Sequence, residues 1–204
     1  ACDSPKSLSD LADGPHSVAF KATDAAGNTS SAATASWIVD ATAPSAPGLS
    51  GAPTGHTKAT SASISISGED GATFSCSVDG GDASACTGIS LSDLADGGHS
   101  VSVTQTDTAG NTSAAASASW TVDTAAPAAP QLSGAPASLT SSKAADISIT
   151  AEDGAALTCS LDGGAYATCT SPVTRSGLAD GAHSVAVKAT DAAGNTSAAA
   201  TASW

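Results

Sequence analysis

The segment Asp24-Ala-Ala-Gly-Asn28-Thr-Ser returns as Asp107-Thr-Ala-Gly-Asn111-Thr-Ser and again as Asp191-Ala-Ala-Gly-Asn195-Thr-Ser, a spacing of 83 or 84 residues. Self-similarity at a fixed period sets the architecture before any single residue is read, because every copy must fold into the same unit. Other landmarks keep the phase. Leu-Ala-Asp-Gly recurs from Leu11, Leu94 and Leu178, His-Ser-Val from His16, His99 and His183, and an Ala-Ser-Trp closes each copy at Trp37, Trp120 and Trp204. Residues 1–40 correspond only to the C-terminal half of a unit, whereas 41–123 and 124–204 are each a complete one. The chain therefore reads as a window on a longer array of modules of about 84 residues.

Modules this small bury a limited share of their surface. Hydrophobic residues make up 41% of the chain, but most are Ala, and the aromatics are Phe20, Phe74, Tyr166 and the three tryptophans. A thin core calls for reinforcement. Cys76 and Cys86 lie ten apart, as do Cys159 and Cys169, and each pair brackets an Asp-Gly-Gly turn at Asp79 or Asp162. Folding at the turn brings the thiols opposite each other. Paired ligands in zinc sites are usually two to four residues apart, so the spacing favours disulfides over a metal. Such bridges imply an oxidising, extracytoplasmic compartment. Cys2 aligns with Cys169, and its expected partner is a cysteine upstream of the window.

The net charge is −13, from 19 acidic and 6 basic residues. Phosphate backbones are bound by clustered Lys and Arg, and none cluster here, so nucleic acid is excluded as a partner. Nor does any run of 18 apolar residues suggest membrane insertion within this stretch.

Strand signals dominate. Ile64-Ser-Ile66, Ile147-Ser-Ile149, Phe74-Ser-Cys76-Ser-Val78 and Leu157-Thr-Cys159-Ser-Leu161 alternate apolar with polar, the period of a strand with one buried face. Turn residues recur every 8–12 positions. The expectation is an all-β fold, a tandem series of β-sandwich modules.

Taken together, the Cys159-Ser-Leu-Asp-Gly-Gly hairpin closing at Cys169, the Leu178-Ala-Asp-Gly-Ala-His183-Ser-Val stretch, Asp191-Ala-Ala-Gly-Asn195 and the linker Val122-Asp123-Thr-Ala-Ala-Pro127 resemble the bacterial immunoglobulin-like repeats of large surface proteins and adhesins. That resemblance implies a seven-stranded immunoglobulin-like sandwich, an extracellular or cell-surface location and a stalk or adhesive role. On this topology, strands A, B, C, C′, E, F and G of the last module are expected near 131–135, 145–151, 157–161, 166–169, 173–178, 183–190 and 198–204. His183, and with it His16 and His99, then stands where many sandwiches place a corner tyrosine, a structural position bonded to nearby backbone. Trp37, Trp120 and Trp204 are structural too.

The same topology gathers the linker, the B–C loop and the F–G loop at one end. The first junction would collect Asp40, Glu69, Asp70, Asp107 and Asn111, and the second Asp123, Glu152, Asp153, Asp191 and Asn195. Two readings stand. Calcium takes six to eight oxygen ligands, and such clusters could supply them. Alternatively, Asp and Asn with Gly simply shape tight turns, which is the simpler account. No cofactor is otherwise required.

Catalysis is not expected. Neighbouring His and Ser on a strand point to opposite faces and cannot form a relay, and Glu69–Asp70 and Glu152–Asp153 are neighbours in turns rather than carboxylates facing across a cleft. The expected role is a stalk or fibre segment whose partners are neighbouring modules of the same long chain. Alternatives are modules that themselves bind surface glycan or a host protein, or identical chains packed laterally into a filament or sheath. Low aromatic content favours the stalk, since binding surfaces are enriched in Tyr, Trp and Arg, and Tyr166 and Arg175 stand alone. The Asn-Thr-Ser triplets at Asn28, Asn111 and Asn195 match the glycosylation acceptor pattern without deciding its use.

Overall fold

The computed structural model describes residues 4–204, so Cys2 lies outside the described residues. Every regular element among them is a strand. Backbone contacts divide the chain into two compact units, one of the residues up to 51 with 64–89 and 100–118, the other of 52–63, 90–99 and 119–204.

The first unit opens with a hairpin of β1 (Gly14–Phe20) and β2 (Ala33–Val39), in antiparallel register from Gly14 opposite Val39 to Phe20 opposite Ala33. His16 and Val18 on β1 and Trp37 and Val39 on β2 are half-buried, while Ser17, Ala19, Ser36 and Ile38 face water. The complete copy that follows contributes β3 (Gly48–Ser50), β4 (Gly55–Thr57), β5 (Ala62–Ser67), β6 (Thr73–Val78), β7 (Ser84–Cys86), β8 (Gly88–Leu91), β9 (Gly97–Thr106) and β10 (Ala116–Val122). Within the first unit β3 pairs antiparallel with β5, and β6 pairs with β7 on one side and with β9 on the other. Asp79 and Gly80 both adopt positive φ, 50° and 72°, between β6 and β7. Asp-Gly is the pair that tolerates this turn, whose twist matches that of the strands it joins.

In the second unit β4 runs parallel to β10, Gly55 opposite Trp120 and Thr57 opposite Val122. The last copy follows, with β11 (Gln131–Ser133), β12 (Ala144–Thr150), β13 (Ala156–Leu161), β14 (Ala167–Thr168), β15 (Val173–Ser176), β16 (Ser184–Thr190) and β17 (Ala200–Ser203). These seven strands form two sheets, ordered β11-β12-β15 and β14-β13-β16-β17. The sheets enclose Ala145, Ile147 and Ile149 from β12, Cys159 from β13, Val173 from β15, Val185 and Val187 from β16, and Leu178 and Trp204. Alternation is strict on β12 and β16, where every second residue is buried. Burying each Val or Ile stabilises by about 1.5–3 kcal/mol. The filling is thin, and the Cys159–Cys169 disulfide, spanning ten residues, ties β13 to the chain just past β14 within one sheet; the register sets Cys159 opposite Ala167, so the two thiols meet diagonally and not face to face as expected. Cys76 and Cys86 are bonded in the same way.

The strands lie close to the expected spans, with the short ones trimmed: β14 keeps two residues and β17 starts at Ala200. Strand β4 had no expectation attached. Gly55-His56-Thr57 carries no apolar alternation, and it becomes a strand only because β10 offers it a free edge.

Candidate functional site

The recurring Asp-x-x-Gly-Asn segment forms a loop closed on itself. Asp191 Oδ1 accepts hydrogen bonds from the amides of Ala193 and Asn195, both at 2.9 Å, and Oδ2 accepts from Asn195 Nδ2 at 2.9 Å. Gly194 supplies the positive φ of 88° that lets the chain turn back. Asp107 and Asn111 repeat these bonds, as do Asp24 and Asn28. The Asn111 side-chain amide, with the Asn111, Ala109 and Gly110 backbone amides behind it, holds the Asp107 carboxyl below its usual range against the opposing effect of burial.

Each asparagine has a second amide hydrogen. Asn111 donates it to the carbonyl of Asp40 at 3.1 Å, and Asn195 donates to the carbonyl of Asp123 at 2.8 Å. Those carbonyls belong to the linkers. Asp40 and Asp123 turn their own carboxylates forward onto the amides of Thr42 and Ala125. From the other side the linkers are gripped by the aspartate of Leu-Ala-Asp-Gly. Asp13 accepts from the Ala41 amide at 3.0 Å and from the Thr42 hydroxyl, and Asp96 Oδ1 accepts from the Thr124 amide at 3.0 Å and its hydroxyl at 2.8 Å. The Thr42 hydroxyl and then the Ala41 amide lower the Asp13 pKa, outweighing desolvation. Lys58 adds a bond from Nζ to the Gly194 carbonyl at 3.2 Å.

The ten residues weighed as calcium ligands are thus only partly brought together. Asp107 and Asn111 meet the backbone of Asp40, and Asp191 and Asn195 meet that of Asp123. Glu69, Asp70, Glu152 and Asp153 stay exposed in their turns. Among the described residues no group of three His, Cys, Asp or Glu side chains is placed to hold a metal ion. The physical reason is local: the loop aspartates spend both oxygens on N–H donors of their own turn, and the asparagines present an amide hydrogen, not an oxygen, to the linker.

The histidines occupy the corner. His16, His99 and His183 contact through Nε2 the carbonyls of Ala12, Ala95 and Ala179, four residues back, at 2.7, 2.9 and 2.9 Å. Each ring lies 6.0 Å from the tryptophan closing its copy, Trp37, Trp120 or Trp204. His183 also meets Asp162 Oδ2 through Nδ1 at 2.8 Å. Both partners are acceptors only, so the fully bonded ring is an imidazolium. The Ala179 carbonyl first, and then Asp162, raise the His183 pKa, while desolvation works the other way. With both ring nitrogens engaged, His183 does not face Ser184 as a base.

Sequence reasoning missed Asp13, Asp96, Lys58 and Gln105. For Asp13 and Asp96 a signal was present, since Leu-Ala-Asp-Gly recurs as faithfully as the asparagine loop. For Gln105 there was none, because Ala22 and Ala189 stand at its place in the other copies.

Fold and junctions together define a tandem immunoglobulin-like β-sandwich repeat. The chain carries bacterial Ig-like domains: one family model of that description matches residues 42–124 and a second matches 5–41. No curated protein matches it. Among solved structures it is similar to the fibronectin(III)-like modules of Clostridium thermocellum CbhA, at 15% identity over 77% of this chain and 92% of that one, with a TM-score of 0.48. It is also similar to a structure from a 1.5-MDa bacterial ice-binding adhesin studied for host cell surface retention, at 24% identity over 94% of this chain and 73% of that one, with a TM-score of 0.44.

Proposed function

We propose that the chain is a segment of a structural stalk or fibre in a large bacterial cell-surface or secreted repeat protein, with modules at 41–123 and 124–204 preceded by part of a third. The observation that carries this reading is that neither compact unit stops at a linker: each contains one, with residues from both sides of it. Pro47, Pro127 and Pro130 are buried in these stretches, so the linkers are packed segments with restricted φ and not loose tethers. A chain built to space things apart needs this property, while a set of independent binding units does not. Two disulfides support an extracytoplasmic location. The surface also supports a spacer role, because Tyr166, the one exposed tyrosine, has the Lys188 ammonium 4.8 Å over its ring.

Small-angle scattering on the purified chain tests the reading. A rod-like profile is expected, with about 30 Å contributed by each nine-residue strand length along the axis, together with no selective binding in a screen of surface glycans and host proteins. A globular profile, or saturable binding of one glycan class, overturns it.

A further inference from the structure

We infer that the two repeated loop motifs form a two-sided clamp on the linker backbone, which positions each module on the next without a bound cation. This rests on the stalk reading and names the residues that would make the stalk stiff.

The argument is geometric. At the first junction the carbonyl of Asp40 is held by Asn111, from the copy after the linker, while the next peptide N–H, of Ala41, is held by Asp13, from the copy before it. At the second, the carbonyl of Asp123 is held by Asn195 and the following N–H, of Thr124, by Asp96. Carbonyl and N–H belong to one peptide group, because residue 41 follows 40 and residue 124 follows 123. A single rigid plane is therefore grasped at both polar atoms by two different modules. Rotating one module against the other must break at least one of these bonds. At the second junction Asn195 is only 9% exposed, so its broken bond would not be freely replaced by water.

The clamp reads backbone, not side chain, and both holding residues are fixed beforehand. Asn195 is oriented by Asp191 and Asn111 by Asp107, each at 2.9 Å. The Lys58 bond to Gly194 joins the same two copies directly and is independent of the linker. This gives the Asp-x-x-Gly-Asn loop a role distinct from both turn-making and ion binding. Its aspartate is a positioning residue for an asparagine that recognises the preceding linker.

The experiment uses the whole chain and compares it with Asp96→Ala and Asn195→Ala by amide hydrogen exchange and 15N relaxation. In the unaltered protein the Thr124 amide is expected to be protected, and the two complete copies are expected to share one rotational correlation time that chelator does not change. Asp96→Ala should speed Thr124 exchange about five- to tenfold, the loss of one hydrogen bond, and the two variants together should let the copies tumble separately. Asn195→Ala also loosens its own loop, so Asp96→Ala, an exposed side chain bonded to the linker at Thr124, keeps the test clean if the former misfolds. Free exchange at Thr124 in the unaltered chain, shared tumbling retained in the double variant, or rigidity lost on adding chelator each overturns the clamp. If the clamp fails while scattering stays rod-like, the stalk reading survives.

Discussion

Gln105 donates from Nε2 to the carbonyl of Ser45 at 2.6 Å and accepts at Oε1 from the amide of Glu69 at 2.9 Å, so one side chain, 1% exposed, ties the proline segment after the linker to the turn ahead of β6. The room it needs comes from Gly68. A Cβ there would meet the Gln105 side chain and lie 2.7 Å from a Phe74 ring carbon. In the last copy the pair is Ala151 and Ala189 instead, a methyl on one side matched by a short side chain on the other.

Gly68→Ala is therefore expected to destabilise the second copy by about 1–3 kcal/mol through overpacking. Gln105→Ala should cost a similar ~1–3 kcal/mol by stranding the Ser45 carbonyl and the Glu69 amide. The double variant reproduces the alanine pair of the last copy, and urea denaturation should show it losing less than the sum of the two. Strict additivity would mean the two positions are not coupled.

Breaking the Cys159–Cys169 bridge as the paired Cys→Ala variant should lower the stability of the last copy by about 2–3 kcal/mol, the chain-entropy value for so short a loop. Denaturant melts of the oxidised protein and the variant measure it. An unchanged midpoint would show that the hairpin holds itself together without the sulfur link.

The His183–Asp162 pair predicts a pH dependence with a defined sign. The His183 pKa is raised, so its contribution is complete below the ordinary histidine value, roughly 6.5, and is lost as pH rises through the higher folded value. The Asp162 pKa is lowered, chiefly by the His183 hydrogen bond, so its contribution is present above the ordinary aspartate value, roughly 3.9, and is lost as pH falls through the folded one. The last copy should be most stable between those limits. Asp162→Asn should flatten the alkaline fall and return the His183 titration, followed by NMR, toward its ordinary value.

Thermal melts with excess chelator and with millimolar calcium should coincide, because both oxygens of Asp107 and of Asp191 already accept N–H donors in their own loops. A midpoint several degrees higher with calcium would show that the carboxylates leave those donors to bind the ion.

The strands were legible because alternation is a property of sequence alone: Ile147 and Ile149, or Val185 and Val187, can share a buried face in only one secondary structure. The disulfides were legible too, since a turn-forming Asp-Gly between two cysteines folds them onto adjacent strands, although the register sets Cys76 opposite Ser84 and Cys86 opposite Phe74, a diagonal pair. Junction chemistry was only half legible. Asn111 and Asn195 with Asp107 and Asp191 were singled out while Asp13 and Asp96 were not, and sequence carries the identity of a side chain and not the direction its atoms face. Whether Asn195 offers an oxygen to a cation or a hydrogen to a carbonyl depends on which amide atom Asp191 captures.

By itself, then, the order of residues determined the repeat, the all-β class, the inward faces of the strands and the sulfur pairing, all of which are local periodicities or short loops. Tertiary structure alone decided what the repeated turns hold. Asp13 and Ala41 are 28 positions apart, and Asn111 and Asp40 are 71 apart. Contacts at such separations are set by how folded sheets bring loops together in space, and no local pattern encodes that proximity.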